Sequence, residues 1–331
     1  MFEAILEARP DQPAGLIGLA RCAQLQSEWS VAADLWKAAC DSFPSDERRE
    51  NWQRRYVNSL VLAERKEEAR GEIKAHWESS PQRRAYRDAT TNVADGTHEQ
   101  VRFDHVLIVT YGRSGSTILQ GVLNSINGLL VRGENGNVFH DFFTMTRGLG
   151  VHRGRSANSF APNSAWFGIA EMTSDRMVAE LRPVARRMLL GDDVDDPAIT
   201  SIGFKEIRYL DVMDDLVDYL QFLEQLFPNA AFVLNTRDPN ETAKSGWWRA
   251  EDPEQLAQEI GRLESRFAEF AGGRSNCFEI DYRDVVGKGE NLRRLFHFLG
   301  AEFDEQKVDA VLAISHSYQP GDRRDPLMDL S

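Results

Sequence analysis

Val106-Leu107-Ile108-Val109-Thr110-Tyr111-Gly112-Arg113-Ser114-Gly115-Ser116-Thr117 is the stretch on which the fold turns. Five β-favouring residues run into a short loop of small residues carrying one Arg. A new apolar periodicity then begins at once, with Ile118, Leu119, Val122, Leu123 and Ile126 at helical spacing. The segment therefore reads as strand, tight loop and helix N-terminus, which is a seat for an anion. Glycines at 112 and 115 let backbone N–H groups converge, and the helix dipole presents partial positive charge. Ser114, Ser116 and Thr117 add hydroxyl donors.

The loop departs from the nucleotide-triphosphate pattern of Gly, four residues, Gly, Lys and Ser or Thr. Here Gly115 is followed by Ser116, and Thr110 occupies the position of the first glycine. The Lys is replaced by Arg113, inside the loop. At this point the sequence resembles the sulfotransferases, whose 5′-phosphosulfate loop carries Lys or Arg followed by Ser/Thr-Gly-Ser/Thr-Ser/Thr. Arg113-Ser114-Gly115-Ser116-Thr117 is similar to the Arg form found in the carbohydrate and tyrosyl-protein branches. The resemblance implies that Gly112, Arg113, Ser114, Gly115, Ser116 and Thr117 hold the donor 3′-phosphoadenosine 5′-phosphosulfate.

A second strand-turn element, Val233-Leu234-Asn235-Thr236-Arg237-Asp238-Pro239, precedes Lys244 and Ser245. The eight-residue spacing from Arg237 to Ser245, the latter expected on the following helix, matches the family's 3′-phosphate motif. An Arg at a strand end offers a planar fork of donors to a phosphate, and a hydroxyl completes the shell. Glu134 follows the short strand signal Leu129-Leu130-Val131-Arg132, twenty-one residues after Arg113. In the carbohydrate and tyrosyl-protein branches a Glu at closely similar spacing is the general base, a role that suits a carboxylate within reach of an acceptor hydroxyl. His140, among Phe139, Phe142 and Phe143, is the competing base, although such a histidine more often packs than reacts. In Gly203-Phe204-Lys205-Glu206-Ile207-Arg208, Lys205 resembles the family's lysine on the transferring sulfuryl group. Fixed donors aimed at the departing oxygen contribute about 3 kcal/mol each. The site expected from the resemblance is thus Glu134, Arg113 and Lys205 for catalysis, with the loop, Arg237 and Ser245 for the donor and no metal.

The chain of 331 residues has 39 Lys and Arg against 52 Asp and Glu, a net charge of −13. This balance argues against a nucleic-acid binder working by bulk charge, and Arg113, Arg132, Lys205, Arg208 and Arg237 near strand ends point to a small anionic ligand. Cys22, Cys40 and Cys277 form no disulfide or zinc pattern. The first ten residues lack a secretory pattern, and no apolar run approaches a membrane span, so a cytoplasmic enzyme is expected.

Residues 1–85 are Ala-, Arg- and Glu-rich with helical spacing. Pro10 and Pro44 lie thirty-four residues apart, the tetratricopeptide period, with Leu16, Leu19, Ala20, Ala23, Ala32, Trp36 and Ala39 near packing positions. This resemblance implies a small helical-repeat region that stabilises the enzyme, self-associates or recruits a protein partner. A polar linker over 86–102 leads to a catalytic domain at 103–331. Strands are expected near 106–111, 129–133, 201–206, 231–236 and 276–281, with helices near 116–126, 172–190, 211–226 and 253–271. The expected fold is α/β, P-loop-like and three-layered with a mostly parallel sheet, whose ligands sit beyond the carboxyl ends of the strands.

The sulfotransferase resemblance spans about 103–315. It implies sulfuryl transfer to an acceptor hydroxyl, first on a carbohydrate or glycolipid and alternatively on a protein tyrosine, releasing adenosine 3′,5′-bisphosphate. A long loop from His152 to Trp166, carrying Arg153, Arg155, Asn158 and Asn163, is a candidate acceptor wall, whereas Trp247 and Trp248 read as core. The family's late Gly-rich basic loop has no good counterpart, Gly321-Asp322-Arg323-Arg324 being a poor substitute. Two other classes stay open on sequence alone: a nucleotide-dependent phosphotransferase and a non-catalytic nucleotide-sensing protein.

Overall fold

The computed structural model describes residues 2–79, 101–153, 160–245, 248 and 251–314. The chain divides into two compact units, one within 1–85 and the other within 86–320. Of the linker expected at 86–102, only 101 and 102 are described; Arg155, Asn158, Trp247 and the 321–324 segment also lie outside the described residues.

The first unit consists of helices α1 (Phe2–Ala8), α2 (Ala14–Leu25), α3 (Trp29–Ser42), α4 (Arg49–Leu62) and α5 (Lys66–Ser79), each packed on the next. Alanines 20, 32, 33 and 39 let the backbones approach around Trp36, Tyr56 and Leu60, which are fully or nearly fully buried.

The second unit is a five-stranded sheet of β1 (His105–Val109), β2 (Leu129–Arg132), β3 (Ser201–Glu206), β4 (Ala230–Thr236) and β5 (Cys277–Asp281). Their order is β2-β3-β1-β4-β5 and all four pairings are parallel. Nine helices are described in this unit: α6 (Ser116–Leu123), α7 (Val138–Arg153), α8 (Ser174–Leu190), α9 (Leu216–Leu226), α10 (Pro239–Ala243), α11 (Pro253–Ala271), α12 (Tyr282–Val286), α13 (Glu290–Leu299) and α14 (Glu305–Leu312). The central strands β1, β3 and β4 are buried on both faces, the edge strands β2 and β5 only in part, and the period of two sorts their side chains between two cores. Leu107, Val109, Phe204 and Phe232 pack on one face with α7, α8, α9 and α11. Val106, Ile108, Val131 and Val233 pack on the other with α6, α13 and α14. The three-layer α/β expectation is therefore met.

Local chemistry sets several of the helix starts. Asp238-Pro239 and Asp252-Pro253 open α10 and α11, each aspartate accepting two backbone N–H bonds and each proline standing in the first turn. Two expectations are corrected. Helix α7 fills 138–153, so His152 and Arg153 end a helix and do not begin the expected loop. The helix expected from 211 begins at 216, because Tyr209–Asp215 winds as a tighter turn with a kink at Val212.

Candidate active site

β1 lies between strands whose connections run in opposite directions along the sheet, so a crevice opens at its carboxyl end. The chain there turns through left-handed backbone at Arg113 (φ 67°) and Gly115 (φ 82°). The expectation that Gly112 supplies this freedom is corrected: the left-handed positions are 113 and 115. Placing Arg113 there strains the backbone, and such strain collects where a loop must keep one shape. Alternation of handedness turns successive amides inward as a nest at the start of α6. Gly115 has a second reason to lack a side chain, since a Cβ would lie 2.2 Å from Cδ2 of Tyr282.

Three contacts fix the loop from behind. Thr110 Oγ1 lies 2.7 Å from both Ser114 Oγ and the Asn235 carbonyl oxygen. A carbonyl only accepts, so the Thr110 proton goes to Asn235 and the Ser114 proton to Thr110. Ser114 is fully buried, and its hydroxyl proton is spent inside the protein. What it offers the loop is its backbone amide. The Trp248 indole N–H donates to the Gly112 carbonyl at 3.0 Å, so Trp248 fixes the loop as well as packing on the core. Ser116 is buried and Thr117 exposed on the first turn of α6.

Arg237 follows β4 and reaches the same loop. Its Nη1 donates to the Arg113 carbonyl at 3.3 Å, while Arg113 Nε donates to Ser245 Oγ at 3.1 Å. Arg113, Arg237 and Ser245 therefore come together. Ser245 lies two residues beyond the end of α10, not on the helix as expected. The Arg237 guanidinium sits 4.4 Å from the ring centroid of Tyr282 and 3.4 Å from Glu241 Oε2. Tyr282 thus lies against both Arg237 and Gly115 of the loop. Behind Arg237, the buried Tyr111 hydroxyl accepts from the Arg237 amide at 2.8 Å and donates to Glu264 Oε1 at 2.6 Å. Burial pushes both ionisations up: the Tyr111 hydroxyl well above its usual range, and the Glu264 carboxyl above its ordinary value, the latter helped by the negative charges of Asp281, Asp238 and Glu279.

On the other side of β1, Lys205 is the penultimate residue of β3, in register with Ile108. Its buried Nζ donates to Glu134 Oε1 at 2.5 Å, and Arg208 Nη1 stands 3.5 Å from Glu134 Oε2. The Glu134 side chain keeps 35% of its surface exposed. Arg208 also donates to Glu206 Oε1 at 2.8 Å, and its backbone bridges that of Tyr111, one residue before the loop. Arg208 and the loop thus link the Glu134 group to Arg237 through direct contacts.

Two residues leave the expected constellation. Arg132 turns away to bond the Leu189 and Leu190 carbonyls at the end of α8 and Asp193, a helix-capping role. His140 packs edge-on to Tyr219 at 5.1 Å and against Phe143, as a packed histidine does. Sequence reasoning missed Tyr111, Tyr282, Trp248 and Glu206. Tyr282 directly follows β5 and Tyr111 lies two residues after β1, and this nearness to a strand end was the available signal. Among the described residues no cluster of His, Cys, Asp and Glu could hold a metal ion, and no helix is long and apolar enough to cross a membrane.

The sequence model described as the sulfotransferase family matches residues 105–305, more than half of the chain. The chain belongs to the sulfotransferase family. Membership makes sulfuryl transfer from a nucleotide sulfate donor the class of reaction. It covers all five strands and every residue of the crevice described above. Among solved structures, the chain is similar to the sulfotransferase domain from the Synechococcus PCC 7002 olefin synthase, with 20% identity over 66% of this chain and 81% of that one, and a TM-score of 0.39. It is also similar to the sulfotransferase domain from the curacin biosynthetic pathway (18% identity, 62% and 76% covered, TM-score 0.34). A third likeness is to the sulfotransferase STF9 from Mycobacterium avium (14% identity, 85% and 86% covered, TM-score 0.34). No curated protein matches the chain.

Proposed function

We propose that the protein transfers a sulfuryl group from 3′-phosphoadenosine 5′-phosphosulfate to an acceptor hydroxyl, on a carbohydrate or glycolipid. One observation carries this reading: Arg113 meets Arg237 and Ser245, more than a hundred residues further along the chain, around a left-handed loop at a helix N-terminus. That gives two sets of anion donors in one crevice, as a donor with a 5′-phosphosulfate and a 3′-phosphate requires. The loop amides, Arg113, Ser116 and Thr117 hold the phosphosulfate, and Arg237 and Ser245 the 3′-phosphate.

In this reaction the acceptor oxygen attacks sulfur as the bond from sulfur to the 5′-phosphate oxygen breaks. The acceptor proton passes to Glu134, whose partial exposure suits an acceptor arriving from solution. Lys205, already against Glu134, shares its charge with the sulfuryl oxygens and the departing phosphate. The leaving group is adenosine 3′,5′-bisphosphate. The Arg form of the loop and the spacing to Glu134, shared by the carbohydrate and tyrosyl-protein branches, favour a sugar or glycolipid hydroxyl over a small phenol, with a protein tyrosine as the competing acceptor.

Calorimetric titration with adenosine 3′,5′-bisphosphate, adenosine 5′-monophosphate and ATP, without magnesium, tests the donor. Binding that requires the 3′-phosphate is expected, and equal binding of the monophosphate refutes the donor assignment. Transfer of label from ³⁵S-labelled donor to methyl glycosides, a glycolipid extract and a tyrosine peptide tests the acceptor. Label on the peptide alone refutes the carbohydrate assignment.

A further inference from the structure

Glu206 is fully buried at the end of β3, yet the transfer reaction as written makes no use of it. A carboxylate without solvent is costly unless its oxygens are filled, and here both are. Oε1 accepts the Ile207 amide at 2.8 Å, the Arg208 amide at 3.2 Å and Arg208 Nη1 at 2.8 Å. Oε2 accepts the Asn135 amide at 3.1 Å and the Asn137 amide at 3.0 Å. Burial alone would raise its ionisation. The Ile207, Asn137 and Asn135 amides and the Arg208 charge outweigh it, and the carboxyl is held below the usual range. Glu206 is therefore an anion fixed inside the protein.

Its partners are divided in an informative way. Oε1 serves its own strand end, whereas Oε2 reaches about seventy residues back to the loop immediately following Glu134. That loop passes through two successive left-handed residues, Gly136 (φ 69°) and Asn137 (φ 61°), a shape the Glu206 carboxylate braces from the neighbouring strand. Asn137 is held further by the Tyr219 hydroxyl, which donates to its Oδ1 at 2.8 Å, and by the His140 amide, which donates to its carbonyl at 2.8 Å. Adjacent strand residues point to opposite faces, so Lys205 and Glu206 approach the loop from two sides. Lys205 takes the Glu134 carboxylate, and Glu206 takes the backbone one and three residues further on. Arg208 spans the two carboxylates.

We propose that Glu206 is a positioning residue that fixes the Glu134 loop on β3, and so sets where the proton-accepting carboxylate stands relative to Lys205. This rests on the assignment of Glu134 as the base. A residue acting only as a helix cap for α7 would affect stability alone. A positioning residue alters turnover without altering donor binding, and does so only through Glu134.

The test uses the full chain with Glu206→Gln. The amide keeps one acceptor oxygen and turns an NH₂ group to the other side, so it serves the strand end or the Glu134 loop but not both. Turnover is read as ³⁵S-sulfate released from saturating donor with water as the acceptor probe, and as transfer to methyl glycosides. A displacement of the base by about 1 Å lowers the rate by up to roughly a hundredfold. The expected result is a fall in kcat of that order with affinity for adenosine 3′,5′-bisphosphate within twofold. Amide hydrogen exchange at Asn135 and Asn137 is expected to accelerate while that of β3 does not. In the Glu134→Gln background the same substitution is expected to cost nothing further.

Glu206→Asp, which keeps both oxygens on a shorter stem, carries the same comparison if the amide variant does not fold. Wild-type kcat in either folded variant, or a rate loss that adds in full to that of Glu134→Gln, overturns the positioning role. If Glu134→Gln itself releases sulfate like the wild type, the base assignment falls and takes this role with it. If Glu134→Gln is inactive and Glu206→Gln is not, the positioning role alone falls.

Discussion

Replacing Gly115 with Ala adds one methyl group and opposes the loop in two separable ways. The residue sits at φ 82°, where an L-residue costs about 1–2 kcal/mol. The new Cβ also falls 2.2 Å from Cδ2 and 2.6 Å from Cε2 of Tyr282, too near for any relaxation short of moving the ring. The ring carries the Arg237 guanidinium 4.4 Å from its centroid, a half-exposed cation–π contact worth about 1 kcal/mol. Displacing it gives a total near 2–3 kcal/mol in denaturant unfolding, or roughly 5–10 °C in melting temperature for a unit of this size. Only the Arg237 part bears on the donor, so affinity for adenosine 3′,5′-bisphosphate is expected to fall by about fivefold. The two parts separate in a Tyr282→Ala background, where the methyl group has room. There Gly115→Ala is expected to cost only the backbone component and to leave donor affinity unchanged. Denaturant midpoints and calorimetry on the four proteins measure all of this. A Gly115→Ala protein within 0.5 kcal/mol of wild type refutes the strain argument, and an equal penalty in both backgrounds refutes the Tyr282 contact.

Glu134→Gln is expected to keep donor affinity and lose roughly a hundredfold or more in kcat; full turnover removes it from the proton-accepting role. Arg237→Ala deletes charge-assisted bonds worth about 2–3 kcal/mol and is expected to weaken adenosine 3′,5′-bisphosphate by roughly thirtyfold or more, whereas unchanged affinity rejects its 3′-phosphate assignment. Glu264 has a folded ionisation raised above its ordinary value of 4.5, so the folded state holds its proton longer. The stability this contributes is complete below pH 4.5 and is lost as pH rises through the folded value. Glu264→Gln is therefore expected to gain melting temperature relative to wild type between pH 4.5 and 7, and a pH-independent difference refutes the assignment. Glu206 has the opposite sign: its contribution is complete above pH 4.5 and is lost as pH falls through its lower folded value, so Glu206→Gln is expected to approach wild-type stability in acid.

The parts of this molecule legible in sequence are those whose causes are local. Val106 to Val109 is apolar at every position because a central parallel strand has no solvent face, and both Asp-Pro pairs announce helices through caps that act within three residues. Helix α7 escaped because Gly148 and Gly150 interrupt an aromatic-rich stretch with weak amphipathic contrast, and packing on the sheet overrides propensity there. Arg132 was grouped with the anion-facing cations because a strand-end Arg next to Gly133-Glu134 looks catalytic. Only the fold places the end of α8, fifty-seven residues later, within its reach. Glu206 was hidden for the same reason. Lys205-Glu206-Ile207-Arg208 reads as a charged strand end, and nothing within it says that one carboxylate meets solvent-shielded amides of a loop seventy-one residues away.

The strand order gives the proposed reaction a division that local sequence cannot express. Everything assigned to the donor lies on β1, β4 and β5: the loop after Val109, Arg237 and Ser245 after Thr236, and Tyr282 after Asp281. The proposed base and the groups around it lie on β2 and β3: Glu134 after Arg132, and Lys205, Glu206 and Arg208 at the end of β3, Lys205 also serving the sulfuryl group. The phosphosulfate loop stands on β1, where the two groups adjoin. If donor and base stand on opposite arms of the parallel sheet as proposed, the line from acceptor oxygen through sulfur to the leaving oxygen is expected to cross from β3 to β1. Perturbations should then sort by strand. Substitutions at Arg237, Ser245 and Tyr282 are expected to raise the donor Kd and KM with little change in kcat at saturation. Those at Glu134, Lys205 and Glu206 should lower kcat and leave the Kd for adenosine 3′,5′-bisphosphate near wild type. A β4 or β5 variant that loses kcat at saturating donor while its Kd stays fixed contradicts the division, because no group on that arm stands where the proton moves.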